Sequence, residues 1–438
     1  MQHSNRRRFL QQAGVLSAAA ATFAAPAYAR SMKSNYKITM GIIGCGGQGS
    51  NLLRVFNKIA DVSYVCDPDE SHCGNAKESS GAKHAVTDFR RVLDDPSVDA
   101  VVVATPDHWH APAAIMACEA GKHVYVEKPC SHNYVESKLL VEAARRNNVV
   151  VQHGTQSRSN VMIANAVQML REGVIGDVLM AKAWNVQTRP NIGRMTPSDP
   201  PSGVDYDTWV GPAEFMPYQE NRFHYNWHWW YNFGTGDIGN DGTHEIDYAR
   251  WGLGVEGLPA TVTGLGGKYF HDDDQQYPDT ATCAFEWPGD GSVGKRRQLI
   301  FEMRLWSTNY PYNCDSGAEF YGTEGRLFMS KRGKLEIYGP RNARIEDAEP
   351  AEPVLFESDH RRNFIDSIIA GTRPRADIAI AHDSVSLVHL ANIAARLGRS
   401  LHVDAQQEII TGDEEATRLL TRNYREGGHW AVPKGAQV

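Results

Sequence analysis

The stretch Met40-Gly41-Ile42-Ile43-Gly44-Cys45-Gly46-Gly47-Gln48-Gly49-Ser50 constrains this chain more than any other. An apolar run from Ile38 to Ile43 breaks into glycines spaced G-x-G-x-x-G, and Leu52, Leu53, Val55 and Phe56 then recur at helical spacing. The pattern predicts a buried parallel strand, a sharp turn, and a helix whose N-terminus faces an anion. In such a turn Gly44 permits the bend. Gly46, with Gly47 and Gln48 beside it, lets the backbone approach a pyrophosphate, and Gly49 lets the helix pack closely on the strand. Glycines at this spacing also occur in ordinary βα turns. Asp67 narrows the reading, because it ends the next strand-like run, Val62-Ser63-Tyr64-Val65-Cys66, at about the ~20-residue distance where an acid meets the adenine ribose diol. A carboxylate there would repel a 2′-phosphate, so the expected cofactor is NAD rather than NADP.

From residue 36 to about 155 short apolar runs alternate with helical patterns, as a doubly wound parallel sheet requires. Val101-Val102-Val103-Ala104 reads as a strand that breaks at Thr105-Pro106-Asp107-His108-Trp109-His110, with a helix following from Ala111 to Ala120. Ligands bind beyond the carboxyl ends of such strands. Thr105, Pro106, His108 and His110 are therefore expected at the cofactor, as are Glu127 and Lys128, which follow Val124-Tyr125-Val126. Residues 156–438 read as an α+β domain. It comprises a helix near Ala164 to Arg171, a strand from Val178 to Val186, an aromatic stretch from Phe223 to Phe233, several alternating runs that predict an antiparallel sheet, and closing helices at Phe364–Ala370 and His382–Leu397.

Residues 1–29 have the form of an export signal: Arg6-Arg7-Arg8-Phe9-Leu10, an Ala-rich apolar segment too short for a stable membrane anchor, and the small-residue site Ala27-Tyr28-Ala29. Adjacent arginines before Phe-Leu resemble a twin-arginine signal, which implies export of an already folded protein by the twin-arginine machinery to the periplasm. Folding first around a dinucleotide taken from the cytoplasm would solve the supply problem. Seven scattered cysteines have no disulfide or zinc-knuckle spacing, and Cys45 inside the glycine loop is expected to be a free thiol. A net charge of −7 makes no case for nucleic acid. The cluster His271-Asp272-Asp273-Asp274 fits no metal motif and reads as a solvated loop, so no metal is expected.

Glu127-Lys128-Pro129, between the glycine loop and a glycine-rich segment ending at His244, resembles the Gfo/Idh/MocA oxidoreductases, and the likeness extends over nearly all of the chain after residue 29. The resemblance implies a Rossmann domain followed by an α/β domain with an open, mostly antiparallel sheet, a sugar or polyol site between them, and a homo-oligomer. It also implies that Lys128 lies beside the nicotinamide and works with His244. The family's Asp-x-x-x-His pair falls on Asn240 and His244, which is a departure: Asn240 can orient a hydroxyl but cannot carry a proton. Asp241 is adjacent, but within a helix it would point about 100° away.

Three functions follow. The first is an NAD-dependent oxidoreductase acting on a hydroxyl of a carbohydrate, with Lys128, His244 and Asn240 at the reaction centre. The second is a redox-neutral glycosidase or lyase that oxidises a ring hydroxyl, eliminates the glycosidic bond and returns the hydride, a route suited to a cofactor that cannot exchange outside the cytoplasm. Against it, glycosidases related to the family typically replace the lysine that is present here as Lys128. The third is a non-catalytic sugar-binding protein. The aromatics of Tyr225–Tyr231 fit a sugar-stacking surface or a core.

Overall fold

A computed structural model describes residues 37–436, so the export segment at 1–29 lies outside the described residues. Six strands, β1 (Thr39–Ile43), β2 (Asp61–Cys66), β3 (His84–Val86), β4 (Ala100–Val103), β5 (His123–Val126) and β6 (Val151–His153), form an all-parallel sheet. Their order is β3-β2-β1-β4-β5-β6. β1 and β4 are buried on both faces, which is why they read as continuous apolar runs. The strand order reverses between them, and this switch point opens a crevice at their carboxyl ends. The principal helices of this part are α1 (Gly47–Ile59), α2 (Glu70–Ser80), α3 (Asp107–Glu119) and α4 (Tyr134–Arg146).

The second sheet contains β7 (Val178–Val186), β8 (Thr261–Gly267), β9 (Thr280–Trp287), β10 (Arg297–Arg304), β11 (Ser316–Gly322), β12 (Arg326–Ser330), β13 (Lys334–Tyr338), β14 (Arg344–Ile345), β15 (Leu401–Asp404) and β16 (Ile409–Ile410). They pair in the order β14-β13-β12-β11-β7-β10-β9-β8-β15-β16, antiparallel except for β7 against β10. Burial alternates along β9 and β10, so Cys283, Phe285, Phe301 and Met303 share one core with α5 (Val161–Arg171), α7 (Gly242–Leu253) and the carboxyl half of α9 (Ile378–Leu397). A five-residue helix, α6 (Gly236–Asn240), precedes α7, and α8 (His360–Ala370) precedes α9.

The two sheets are joined by shared helices. α9 is about 30 Å long at 1.5 Å per residue; Ile378, Ala381 and Val385 pack into the first domain's core, while Leu387, Leu390 and Ile393 pack into the second's. Phe364, Ile365 and Ile368 of α8 cover the opposite face of the first sheet. Although α9 is apolar and long enough to span a membrane, most of it is buried as core.

Helix α3 begins at Asp107, four residues before the expected start, because Pro106 supplies an extended N-cap that points the chain into the helix. Pro112 then lies inside the helix and cannot donate to the carbonyl of His108. Arg422 Nη2 makes that bond instead, at 2.8 Å. The segment between β7 and α6 crosses back to the first domain: Glu70 N donates to Gly203 O (3.0 Å) and Asp205 N to Pro68 O (2.9 Å). Its aromatics, among them Tyr206, Trp209, Trp229 and Phe233, form a core of their own.

Candidate active site

Sequence chemistry and chain crossing meet at a cavity of about 650 Å³ over the switch point, a size within the usual range of small-molecule and cofactor sites. One wall is the glycine loop. Gly44 has φ +88°, and a Cβ there would lie 2.6 Å from the backbone of Ala104; a Cβ on Gly49 would lie 1.9 Å from Gly44 O. Both are therefore restricted to glycine by the close approach of strand and helix. α1 has no side-chain cap at Gly46, so the amides of its first turn are left for a ligand. A Cβ on Gly47 would meet no protein atom. The residues present thus fit a dinucleotide: a glycine cradle, uncapped amides and a cavity of adequate size.

Asp67 stands at the end of β2 and lines the cavity. Its Oδ2 accepts from Cys45 N (2.7 Å) and its Oδ1 from Asp69 N (2.9 Å), which fixes the carboxylate against the glycine loop. His72 Nδ1 lies 3.8 Å from Asp67, whose carboxylate raises the His72 pKa. From the crossing segment, His224 Nε2 reaches Asp69 Oδ2 at 2.8 Å. Asp69, His72 and His224 are the one grouping among the described residues with metal-type spacing. The His271–Asp274 cluster is instead taken up locally: Asp273 by Lys268 and by Ile192 N, Asp274 by Met195 N and Asn221.

At the end of β5, Glu127 Oε1 accepts from Gln48 Nε2 (2.9 Å) and Gln156 Nε2 (3.4 Å), tying the loop to the sheet. Thr105 and Pro106 line the cavity. His110 does too. Its Nδ1 donates to Pro129 O at 2.6 Å, and burial lowers its pKa to about 4, so the ring is neutral. His108 is a correction. Successive residues of α3 are rotated by about 100°, so Asp107 and His110 share the cavity face while His108 turns back to bond Trp209 O at 2.9 Å and is fully buried. Gly49 also serves packing rather than contact, since it is absent from the cavity wall.

Lys128 Nζ donates to Asn240 O (2.5 Å) and Asn240 Oδ1 (3.0 Å). Two of its three N–H groups are thereby engaged, and the third is free for a ligand. His244, one turn beyond Asn240, lines the same cavity; its Nδ1 is buried without a partner, and neither ring nitrogen bonds to a described residue. Burial, then the charges of Lys331 and Lys128, holds its pKa well below the usual histidine range, so it is a neutral base. Asp241 points away from the cavity to Arg189 and to Gln187 Nε2, the latter at 2.8 Å. The three expected reaction-centre residues are therefore adjacent.

Sequence reasoning missed Asp107. Asp107 faces the cavity and accepts from Thr235 Oγ1 at 2.6 Å; burial pushes its carboxyl up to about 7. Tyr225, Trp227 and His228 of the crossing segment line the cavity as well, Trp227 at the edge of the aromatic core to which Trp229 and Trp230 belong. Only the chain crossing, invisible to local pattern, brings them here.

Two models of one family match the chain: the Gfo/Idh/MocA oxidoreductase family, NAD-binding Rossmann fold, over residues 38–155, and its C-terminal alpha/beta domain over 182–280 and 320–431. Levoglucosan dehydrogenase of Pseudarthrobacter phenanthrenivorans is 28% identical over 190 residues, 43% of this chain and 42% of that protein. The chain thus spans less than half the length of that relative. The scyllo-inositol 2-dehydrogenase (NAD(+)) of Bacillus subtilis is 26% identical over 300 residues, 67% of this chain and 74% of that one. Glycosyl hydrolase family 109 protein 1 of Shewanella sp. (strain MR-4) is 28% identical over 214 residues, 42% and 46% respectively. Among solved structures, levoglucosan dehydrogenase in complex with NADH and levoglucosan superposes with a TM-score of 0.63 at 20% identity, covering 84% of this chain and 99% of that one. At that identity the likeness shows the fold.

Proposed function

The chain belongs to the Gfo/Idh/MocA oxidoreductase family, with its NAD-binding Rossmann domain, and from that premise we propose that it oxidises a secondary hydroxyl of a sugar or polyol, reversibly, with tightly held NAD. The observation that carries this reading is the convergence of Lys128, Asn240 and His244 on the cavity that the glycine loop opens into. When bound, NAD supplies the hydride acceptor. Lys128 donates its remaining N–H to the substrate oxygen and holds it in place. His244, neutral and unpartnered, takes the hydroxyl proton as the carbon gives up its hydride. Asn240 fixes the lysine. Tyr225, half exposed at the cavity, offers a ring for the sugar to lie against.

The likeness to a glycosyl hydrolase of family 109 favours a second reading at the same residues. Here the ring hydroxyl is oxidised, the neighbouring carbon loses its proton, the glycosidic bond is eliminated, water adds to the double bond and the hydride returns. Purification without added NAD, followed by incubation with levoglucosan, scyllo-inositol and a panel of aryl glycosides, separates the two. Net oxidoreduction predicts an absorbance near that of reduced nicotinamide with the polyols and no released phenol. Phenol release without added cofactor, with solvent deuterium entering the sugar, would replace the first reading by the second. Neither signal with any probe would leave sugar binding alone.

The proposal includes export, supported by Arg6-Arg7-Arg8-Phe9-Leu10 and by seven cysteines that are all buried free thiols. A precursor with Arg6→Lys and Arg7→Lys is expected to remain in the cytoplasm on fractionation; normal export of that variant would contradict a twin-arginine route.

A further inference from the structure

Asn240 carries no charge, yet it is the residue to which Lys128 donates twice. The charge lies one turn earlier. Asp237 of α6 is fully buried and accepts from Asn240 Nδ2 (3.0 Å), Asn185 Nδ2 (2.9 Å) and Arg189 Nη2 (3.2 Å). Residues three apart on a helix are neighbours. An ionised carboxylate can only accept hydrogen bonds, so Asp237 dictates which way the Asn240 amide faces: nitrogen toward Asp237, oxygen toward Lys128. With the amide reversed, two donors would oppose each other and Lys128 would lose one of its two anchors.

We propose that Asp237 is a positioning residue that acts through the Asn240 amide to aim the Lys128 ammonium into the cavity, standing in for the aspartate that the family resemblance places at position 240. The arrangement accounts for asparagine at that position. A carboxylate at 240 would lie beside Asp237 and next to Asp241, with Arg189 already shared between those two. Two like charges that close cannot both ionise freely. Moving the charge one turn back keeps a single acid behind a neutral relay. The role in turnover rests on the oxidoreductase reading; the geometry does not.

The test compares wild type, Asp237→Asn, Asn240→Asp and the exchange Asp237→Asn with Asn240→Asp. Crystal structures of the four proteins loaded with NAD read the contact between Lys128 Nζ and the side-chain oxygen of residue 240 without reference to any sugar. Turnover is read with levoglucosan and scyllo-inositol. Asp237→Asn should break the contact and lower kcat by ~10²-fold, the usual cost of a small misplacement at a reaction centre, with NAD still retained. The exchange should restore both contact and turnover toward wild type, which loss of a merely structural residue would not permit. If Asp237→Asn does not fold, the exchange must still fold and hold the contact. An unbroken contact in Asp237→Asn, or an exchange that fails to restore it, overturns the proposal. Absent turnover in wild type with the contact following the predicted order would refute the functional reading while supporting Asp237.

Discussion

His244→Ala is expected to lower turnover by ~10²–10⁴-fold, the usual contribution of a positioned acid or base, with the fold and the retained dinucleotide unchanged. The side chain lines the cavity and makes no hydrogen bond to any described residue, so its removal breaks no network. Lys128→Ala should cost as much through a different route, because it strips the substrate oxygen of its donor and leaves Asn240 without its partner. The sign of the pH dependence follows from the lowered pKa of His244, which is the base form throughout neutral pH. Turnover should therefore hold level as pH falls from about 8 to about 6, where an unperturbed histidine, with a pKa of about 6.5, would begin to protonate. A decline centred on about 6.5 that disappears in His244→Ala would contradict the assignment of a depressed pKa.

Gly49→Ala should be the most damaging small substitution in the first domain. Its Cβ would lie 1.9 Å from Gly44 O, and the obstacle is backbone, which cannot rotate aside. Overpacking costs ~1–3 kcal/mol when side chains yield, and more when they cannot. Strand β1 and helix α1 must therefore separate, which spreads the glycine cradle. The expected result is a lower Tm together with loss of retained NAD on mass analysis. Gly47→Ala is the control. Its Cβ meets no protein atom, so the melting temperature should match wild type while dinucleotide binding weakens, because the space it enters is ligand space. Equal melting of Gly49→Ala and wild type would show that the loop is looser than its packing implies.

The residues that build the cofactor end are legible because each acts locally. Gly44, Gly49 and Asp67 sit where a strand, turn, helix and next strand must place them, and local spacing is enough to find them. Lys128, Asn240 and His244 are found through the spacing of a family pattern rather than through physics alone. His108 is misread because the helix begins at Asp107 instead of Ala111, a difference decided by the Pro106 cap and by Arg422, more than three hundred residues away. Asp237 is invisible as a functional residue until its contact with Asn240 is seen. Tyr225, Trp227 and His228 belong to a stretch whose composition fits a sugar-stacking surface or a core; their place at the cavity comes from the crossing segment, which Gly203 and Asp205 tie to Glu70 and Pro68. Strands as short as His84–Val86, Arg344–Ile345 and Ile409–Ile410 carry too little alternation to read.

A substrate C–H beside Lys128 and His244 is expected to give its hydride to NAD held in this cavity. The most direct measurement of this transfer uses scyllo-inositol and levoglucosan deuterated at their ring carbons, mixed with protein purified with its own dinucleotide, and reads the mass of the nicotinamide after acid quench. Bound dinucleotide should gain a single deuterium on one face of the nicotinamide ring with at least one of these compounds, and Lys128→Ala and His244→Ala should slow the gain. Dinucleotide that stays unlabelled while either compound is demonstrably bound in the cavity would contradict the transfer.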